Sequence, residues 1–156
     1  LIGERLTGEP ADNYTNANME RGKEMEDEAR RLYAFMYDAE PILVGFIKNG
    51  GVGCSPDSLI GDKGLLEIKT KVPHLQVETI LSDKVPPEHI AQIQGQLWVA
   101  EREWVDFVSY WPKTPLFVKR VYRDEPYIKY LAEEVTSFLV ELRTLEGRIV
   151  NVNKAA

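Results

Sequence analysis

Apolar residues recur at helical spacing in three stretches of this chain, and between them lie short runs with the length and composition of strands. Over 15–38, Met19, Gly22, Ala29, Tyr33 and Met36 keep the spacing of one buried face, which predicts a first long helix with Thr15 as its N-cap. Glu26 falls on that same stripe, while Glu24, Asp27, Glu28, Arg30 and Arg31 mostly take other faces. An acid on the inner stripe stands out, because an unpaired buried charge is costly. Strand-like runs follow at 42–48, closed by Asn49-Gly50-Gly51, at 52–54, where another strand starts, and at 65–71, after a turn at Gly61-Asp62-Lys63-Gly64. The segment 71–87, interrupted by proline, reads as a loop within one domain. Pro86-Pro87 introduces a helix over 88–101, with Ile90, Ile93, Leu97 and Ala100 as its apolar face and His89, Gln92 and Gln96 as a polar stripe beside it. Strands at 104–110 and 116–122 are joined at Trp111-Pro112-Lys113. A last helix runs from Asp124, a candidate N-cap, to Gly147, a candidate C-cap, along a stripe of Ile128, Leu131, Val135, Phe138, Leu142 and Leu145. This order predicts an α/β fold in which a mixed central sheet is flanked by helices.

A chain of 156 residues, 44% apolar, is enough for one domain with a real core, so 1–156 is taken as a single domain. No apolar run approaches the length of a membrane span. No export-type segment precedes Leu1, and the lone Cys54 makes neither a disulfide nor a zinc site, so a reducing, cytoplasmic home is expected. The net charge of −6, from 25 acids against 19 bases, argues against a nonspecific nucleic-acid binder. Two features weaken that exclusion. Divalent cations reverse the local sign of an acidic site, and Lys113, Lys119, Arg120 and Arg123 fall in a stretch without an acid. Such a stretch can touch phosphates, and equally can be a solvated sheet edge guarded by lysines.

The chemistry concentrates in Ser55-Pro56-Asp57 and Leu65-Leu66-Glu67-Ile68-Lys69. Two strands joined by a turn bring Asp57 and Glu67 to one edge, where paired carboxylates hold a hard divalent cation. Strand alternation puts Glu67 and Lys69 on one face and Leu66, Ile68 and Thr70 on the other. Acid, amine and metal together suit phosphodiester hydrolysis: the metal acidifies a water and neutralises phosphate, and the ammonium orients the nucleophile or meets developing charge. The bare pattern arises about once by chance in a chain of this size, and taken alone a charged hairpin edge explains it better. Its place on a predicted hairpin, with the inward Glu26 in need of a partner, shifts the weight toward a metal site.

These residues resemble the PD-(D/E)xK nuclease superfamily, and within it the lambda exonuclease group of YqaJ-type viral recombinases. The resemblance runs over nearly the whole chain. The segment 21–30, Arg-Gly-Lys-Glu-Met-Glu-Asp-Glu-Ala-Arg, is similar to the family's first-helix motif, whose inner glutamate helps hold metal. Ser55-Pro56-Asp57 and Glu67-Ile68-Lys69 resemble its catalytic aspartate and its glutamate and lysine pair, and Ala91-Gln92-Ile93-Gln94 its active-site glutamine motif. Arg123-Asp124-Glu125-Pro126-Tyr127 resembles the opening of its final helix.

The resemblance implies a restriction-endonuclease-like core in which Asp57, Glu67 and the Ile68 carbonyl ligate Mg²⁺, or alternatively Mn²⁺. Glu26 completes the site directly or through water, Lys69 positions the attacking water, and Gln92 supports it. Ser55, Lys71, Lys113, Lys119 and Arg120 are the candidate DNA contacts. It further implies 5′-to-3′ exonuclease action on the ends of linear double-stranded DNA, leaving 3′ single strands for a partner annealing protein in recombination. A homotrimeric ring and a phage origin, in the host cytoplasm, belong to the same expectation. Family members carry an additional N-terminal segment that grips the 5′ phosphate with an arginine and a serine, and the chain starts where that segment would end. Three rivals stand beside this reading. They are an endonuclease of restriction or repair type, a DNA-binding or assembly module without catalysis, and a metal-independent paired-carboxylate hydrolase of sugars.

Overall fold

The computed structural model describes residues 1–9 and 17–152. A short helix α1 (Ile2–Thr7) precedes the long α2 (Ala17–Tyr37). The expected cap Thr15 and the side chain of Met19 lie outside the described residues. Five strands follow: β1 (Pro41–Ile42), β2 (Ile47–Asn49), β3 (Val52–Cys54), β4 (Ser58–Ile60) and β5 (Gly64–Thr70). Helix α3 (Pro73–Ser82), a 3-10 turn over Pro87–His89 and helix α4 (Ile90–Ala100) lead to β6 (Trp104–Tyr110), β7 (Phe117–Tyr122) and the final helix α5 (Glu125–Asn151).

Among the described residues one sheet has the order β1-β4-β5-β6-β7, and β2 and β3 form a separate hairpin. β5 pairs parallel with β6, and the remaining pairs are antiparallel, so the sheet is mixed as expected. Its centre is β5, where Gly64 through Ile68 are buried on both faces. The alternation along β5 separates two cores. Leu66 and Ile68 pack with Met25, Ala29 and Tyr33 of α2, together with Val108 and Tyr110. Leu65 packs with Ile93 and Leu97 of α4, together with Val105, Phe107, Phe117 and Ile128 of α5. Glu67 and Lys69 therefore face α4.

Several elements differ from the sequence expectation. The segment 71–87 is not a loop, because Pro73 occupies the first turn of α3, where its missing N–H costs no bond. Its inward residues are polar: Gln76 Nε2 donates to the carbonyls of Ser109 and Pro115, and Ser109 Oγ donates to Gln76 Oε1 at 2.5 Å. The expected strand at 42–48 is split between the sheet and the hairpin. The strand starting at Val52 likewise breaks at Ser55-Pro56 and resumes as β4. Asp124 does cap α5, accepting from the Tyr127 N–H at 3.0 Å. Gly147 does not end that helix, which continues to Asn151. Met36 and Phe138, assigned to buried stripes, are about half exposed.

Candidate active site

The break between β3 and β4 shapes the site. The β4–β5 ladder pairs Ser58 with Leu66, so Asp57, one residue outside it, stands opposite Glu67. Asp57 keeps a last ladder bond, from its N–H to the Leu66 carbonyl at 3.1 Å. Pro56, fully buried, cannot donate the next one. Past that point β5 has no strand partner on this side among the described residues, and the Asp57 carboxylate caps it by accepting from the Ile68 N–H at 2.6 Å. Backbone parity directs the Ile68 carbonyl to the same side, toward the Asp57 carboxylate.

Glu67 is 2% exposed, yet both its oxygens are satisfied. Oε1 accepts from Lys69 Nζ at 2.6 Å and from Gln92 Nε2 at 2.7 Å, and Oε2 accepts from Gln96 Nε2 at 2.6 Å. Gln92 and Gln96 lie one turn apart on α4, so a single helix face holds one carboxylate at both ends. Asp57 is less well served. Its burial, the Glu67 charge and the more distant Glu26 charge outweigh the Ile68 N–H and Lys69, and its carboxyl is pushed up to about 7. Negative charge that converges without full compensation is what a cation site looks like before its cation is added.

Glu26 is not the unpaired acid that the sequence suggested. Arg30, one turn along α2, pairs with both Glu26 and Asp27, and its Nε donates to Ser58 Oγ at 3.0 Å. Arg30, assigned by periodicity to another face, is buried and links α2 to the strand that carries Asp57. Among the described residues no three His, Cys, Asp or Glu side chains converge as a metal cluster. The donors that fit a hard cation are the Asp57 and Glu67 carboxylates and the Ile68 carbonyl, all oxygens, with Glu26 behind them.

Of the candidate DNA contacts, Ser55 lines a cavity of about 570 Å³ between β3, α4 and α5, together with Gln92 and Gln96. Lys71 follows the end of β5, and its ammonium donates to His89 Nε2 at 2.8 Å. Burial first, then Lys71 and Lys69, lower the His89 pKa and keep the ring neutral to accept that bond. Lys113, Lys119 and Arg120 are not brought to this cluster. Lys119 and Arg120 lie on β7, two strands from β5, and Lys113 sits in the turn before it with φ 66°. Lys119 pairs with Asp83 at 2.8 Å, and Arg120 is committed to the buried Asp106 through two bonds of 2.8 Å. Gln96, His89 and Arg30 are the residues that sequence reasoning left out. The polar stripe on α4 already contained Gln96 and His89, but only the packing of α4 on β5 shows what they face.

The YqaJ-like viral recombinase domain model matches residues 2–103. No curated protein matches the chain. Among solved structures, LHK-Exo in complex with dAMP is 37% identical with a TM-score of 0.90, over 99% of this chain and 83% of that one. The alkaline exonuclease LHK-Exo from Laribacter hongkongensis gives 37% identity and a TM-score of 0.89, over 99% and 82%. A phage related exonuclease from Haemophilus somnus 129PT has the same fold at 15% identity, with a TM-score of 0.66 over 95% and 80%. With its PD-(D/E)xK core and these relatives, the chain belongs to the YqaJ-like viral recombinase domain family and is a nuclease.

Proposed function

We propose that this chain is a Mg²⁺-dependent exonuclease that degrades linear double-stranded DNA from its 5′ ends, leaving 3′ single strands for strand annealing in recombination. The observation that carries the reading is Glu67, buried beside Asp57 and held at both oxygens by Lys69, Gln92 and Gln96. A carboxylate so constrained is preorganised for a cation and a phosphodiester, and Lys69 beside it supports the role of catalytic lysine in this reading.

Asp57, Glu67 and the Ile68 carbonyl would hold the cation, Mg²⁺ or Mn²⁺, with Glu26 completing the shell. When bound, the cation neutralises charge on the scissile phosphate and lowers the pKa of the attacking water. Lys69, about a quarter exposed, sets its ammonium against Glu67 Oε1, where it would orient the nucleophile and meet charge that develops on phosphate. Gln92 and Gln96 keep Glu67 in one rotamer, which spares the reaction a reorganisation cost. Ser55 and the cavity beside it offer room for the terminal nucleotide, and a similar nuclease binds dAMP. Assembly into a ring-shaped homotrimer, with a single-strand annealing protein as partner in the host cytoplasm, belongs to the same proposal. The exposed Phe35, Leu43 and Phe46 are apolar surface of the kind that subunit contacts cover.

Polarity is tested with linear duplexes labelled at either the 5′ or the 3′ end. Immediate release of the 5′ label as mononucleotide, with the 3′ label retained in long fragments, is the expected result. The opposite order of release would overturn the assigned direction.

A further inference from the structure

The hairpin of β2 and β3 has two sides, and one of them packs against α4. Asn49 turns that way, its Nδ2 donating to the Val99 carbonyl at 3.3 Å. Lys48 pairs with Gly53 in the register, so alternation puts both on the opposite side. Phe46, two residues before Lys48, joins them there. A Cβ built on Gly53 would stand 2.0 Å from Phe46 Cζ, so the tip of the ring covers that glycine. Phe46 is nonetheless 69% exposed. We propose that Phe46 and Lys48 form a contact surface for the DNA strand that enters the active site, the ring stacking on a base and the ammonium meeting a phosphate. This rests on the nuclease reading and extends it to the substrate's path.

Three observations support the assignment. The first is position. Gly53 and Ser55 line the cavity of about 570 Å³ together with Gln92 and Gln96, the two glutamines that hold Glu67. Gly53 lies four residues before Asp57, at most about 14 Å at full extension, which is the rise of about four stacked nucleotides. The second is charge. Lys48 is exposed and has no acid or hydrogen-bond partner among the described residues, whereas Lys119, Arg120 and Arg123 are paired with acids. In a chain of net charge −6, a cation left unspent beside the active site is available to a polyanion. The third is the mixture of groups. Phe35 and Leu43 are exposed apolar side chains, but Phe46 shares its side of the hairpin with an ammonium, and the exposed Ser55 follows two residues after Gly53. The buried centre of a protein contact is depleted in lysine, while an aromatic face beside a cation is what binds a single strand without regard to sequence.

The test measures binding of a short linear duplex in the Lys69→Ala background with Mg²⁺, so that the DNA stays intact, over a salt range of about 50 to about 200 mM. Phe46→Ala should weaken binding about 5- to 100-fold. Phe46→Leu, which keeps apolar bulk without a flat ring, should lose most of that affinity, and Phe46→Trp should retain it. Lys48→Ala should reduce the slope of log affinity against log salt by about one. Leu81→Ala, at an exposed apolar position of α3, is the control and should change neither quantity. Light scattering on the same chains reads their mass. A folded Phe46→Ala chain with unchanged affinity would overturn the proposal, as would full binding by Phe46→Leu. A fall in mass that accounts for the lost binding would overturn it too, and would make the ring a contact between copies of this chain. Binding is read without cleavage. Failure of the nuclease reading would show instead as a Lys69-containing chain that degrades no DNA under any metal.

Discussion

Glu67 shows how a buried charge is tolerated when both its oxygens are met by donors. Its three donors come from Lys69 on the same strand and from Gln92 and Gln96 on one face of α4. Gln96 uses its nitrogen on Glu67 and leaves its own Oε1 buried with no partner among the described residues. An orphaned acceptor costs about 1–3 kcal/mol, so the residue is held for what its nitrogen does. Gln96→Met should therefore lower divalent-metal affinity about 10- to 100-fold, read by calorimetric titration without DNA, while the circular dichroism spectrum stays that of the parent. Unchanged affinity would remove Gln96 from the site. Asp57 gives a pH signature. Its carboxyl is raised to about 7 in the folded chain by burial and by Glu67, so the folded state binds its proton more tightly than the unfolded one. The metal-free protein should accordingly lose stability as pH rises from about 4 to about 7, and added Mg²⁺ should restore it by neutralising the exposed charge. Asp57→Asn should flatten that difference in melting temperature; an identical pH dependence in both chains would contradict the assignment. Glu67 and Lys69 were legible in the sequence as neighbours because strand alternation sorts them onto one face. Arg30 was not, since its role depends on Ser58 arriving from a different strand.

At the scale of elements, α2 is tied to the sheet by more than apolar packing. Asp106 on β6 is 2% exposed and accepts from Tyr33 Oη of α2 at 2.6 Å and from Arg120 of β7, whose guanidinium also lies 3.6 Å over the Trp104 ring. Burial first, and then the bond to Asp106, raise the Tyr33 pKa well above the usual range. Asp106→Ala would leave Arg120 and Tyr33 without their acceptor and should cost about 3–5 kcal/mol, measured by urea unfolding, without altering metal affinity. A loss below 1 kcal/mol would mean that the network behaves as a surface pair. The strands β5 and β6 were readable because each is rich in apolar residues and bounded by turn residues. Helix α3 was not, because its buried residues Gln76 and Thr79 are polar and give no apolar stripe. The split of 42–48 escaped for a related reason: one apolar run serves two sheets, and only pairing partners decide where it divides.

Across the whole molecule, charge and function pull in opposite directions. Asp57 and Glu67 concentrate negative charge at the site proposed for a cation, and the basic stretch at 113–123 is largely spent internally, in pairs with Asp83, Asp106 and Glu125. On the proposed reading DNA is met chiefly through metal, and binding should depend strongly on divalent ions as well as on monovalent salt. No described helix is long and apolar enough to cross a membrane. The most direct test is digestion of linear and closed-circular duplex DNA by this chain and by its Lys69→Ala variant, each with Mg²⁺ and with chelator. Loss of the linear duplex alone, dependent on Mg²⁺ and abolished in Lys69→Ala, is the expected result. Cleavage of closed circles, or degradation that survives chelator or the Lys69 substitution, would contradict an end-dependent metal nuclease built on Asp57, Glu67 and Lys69.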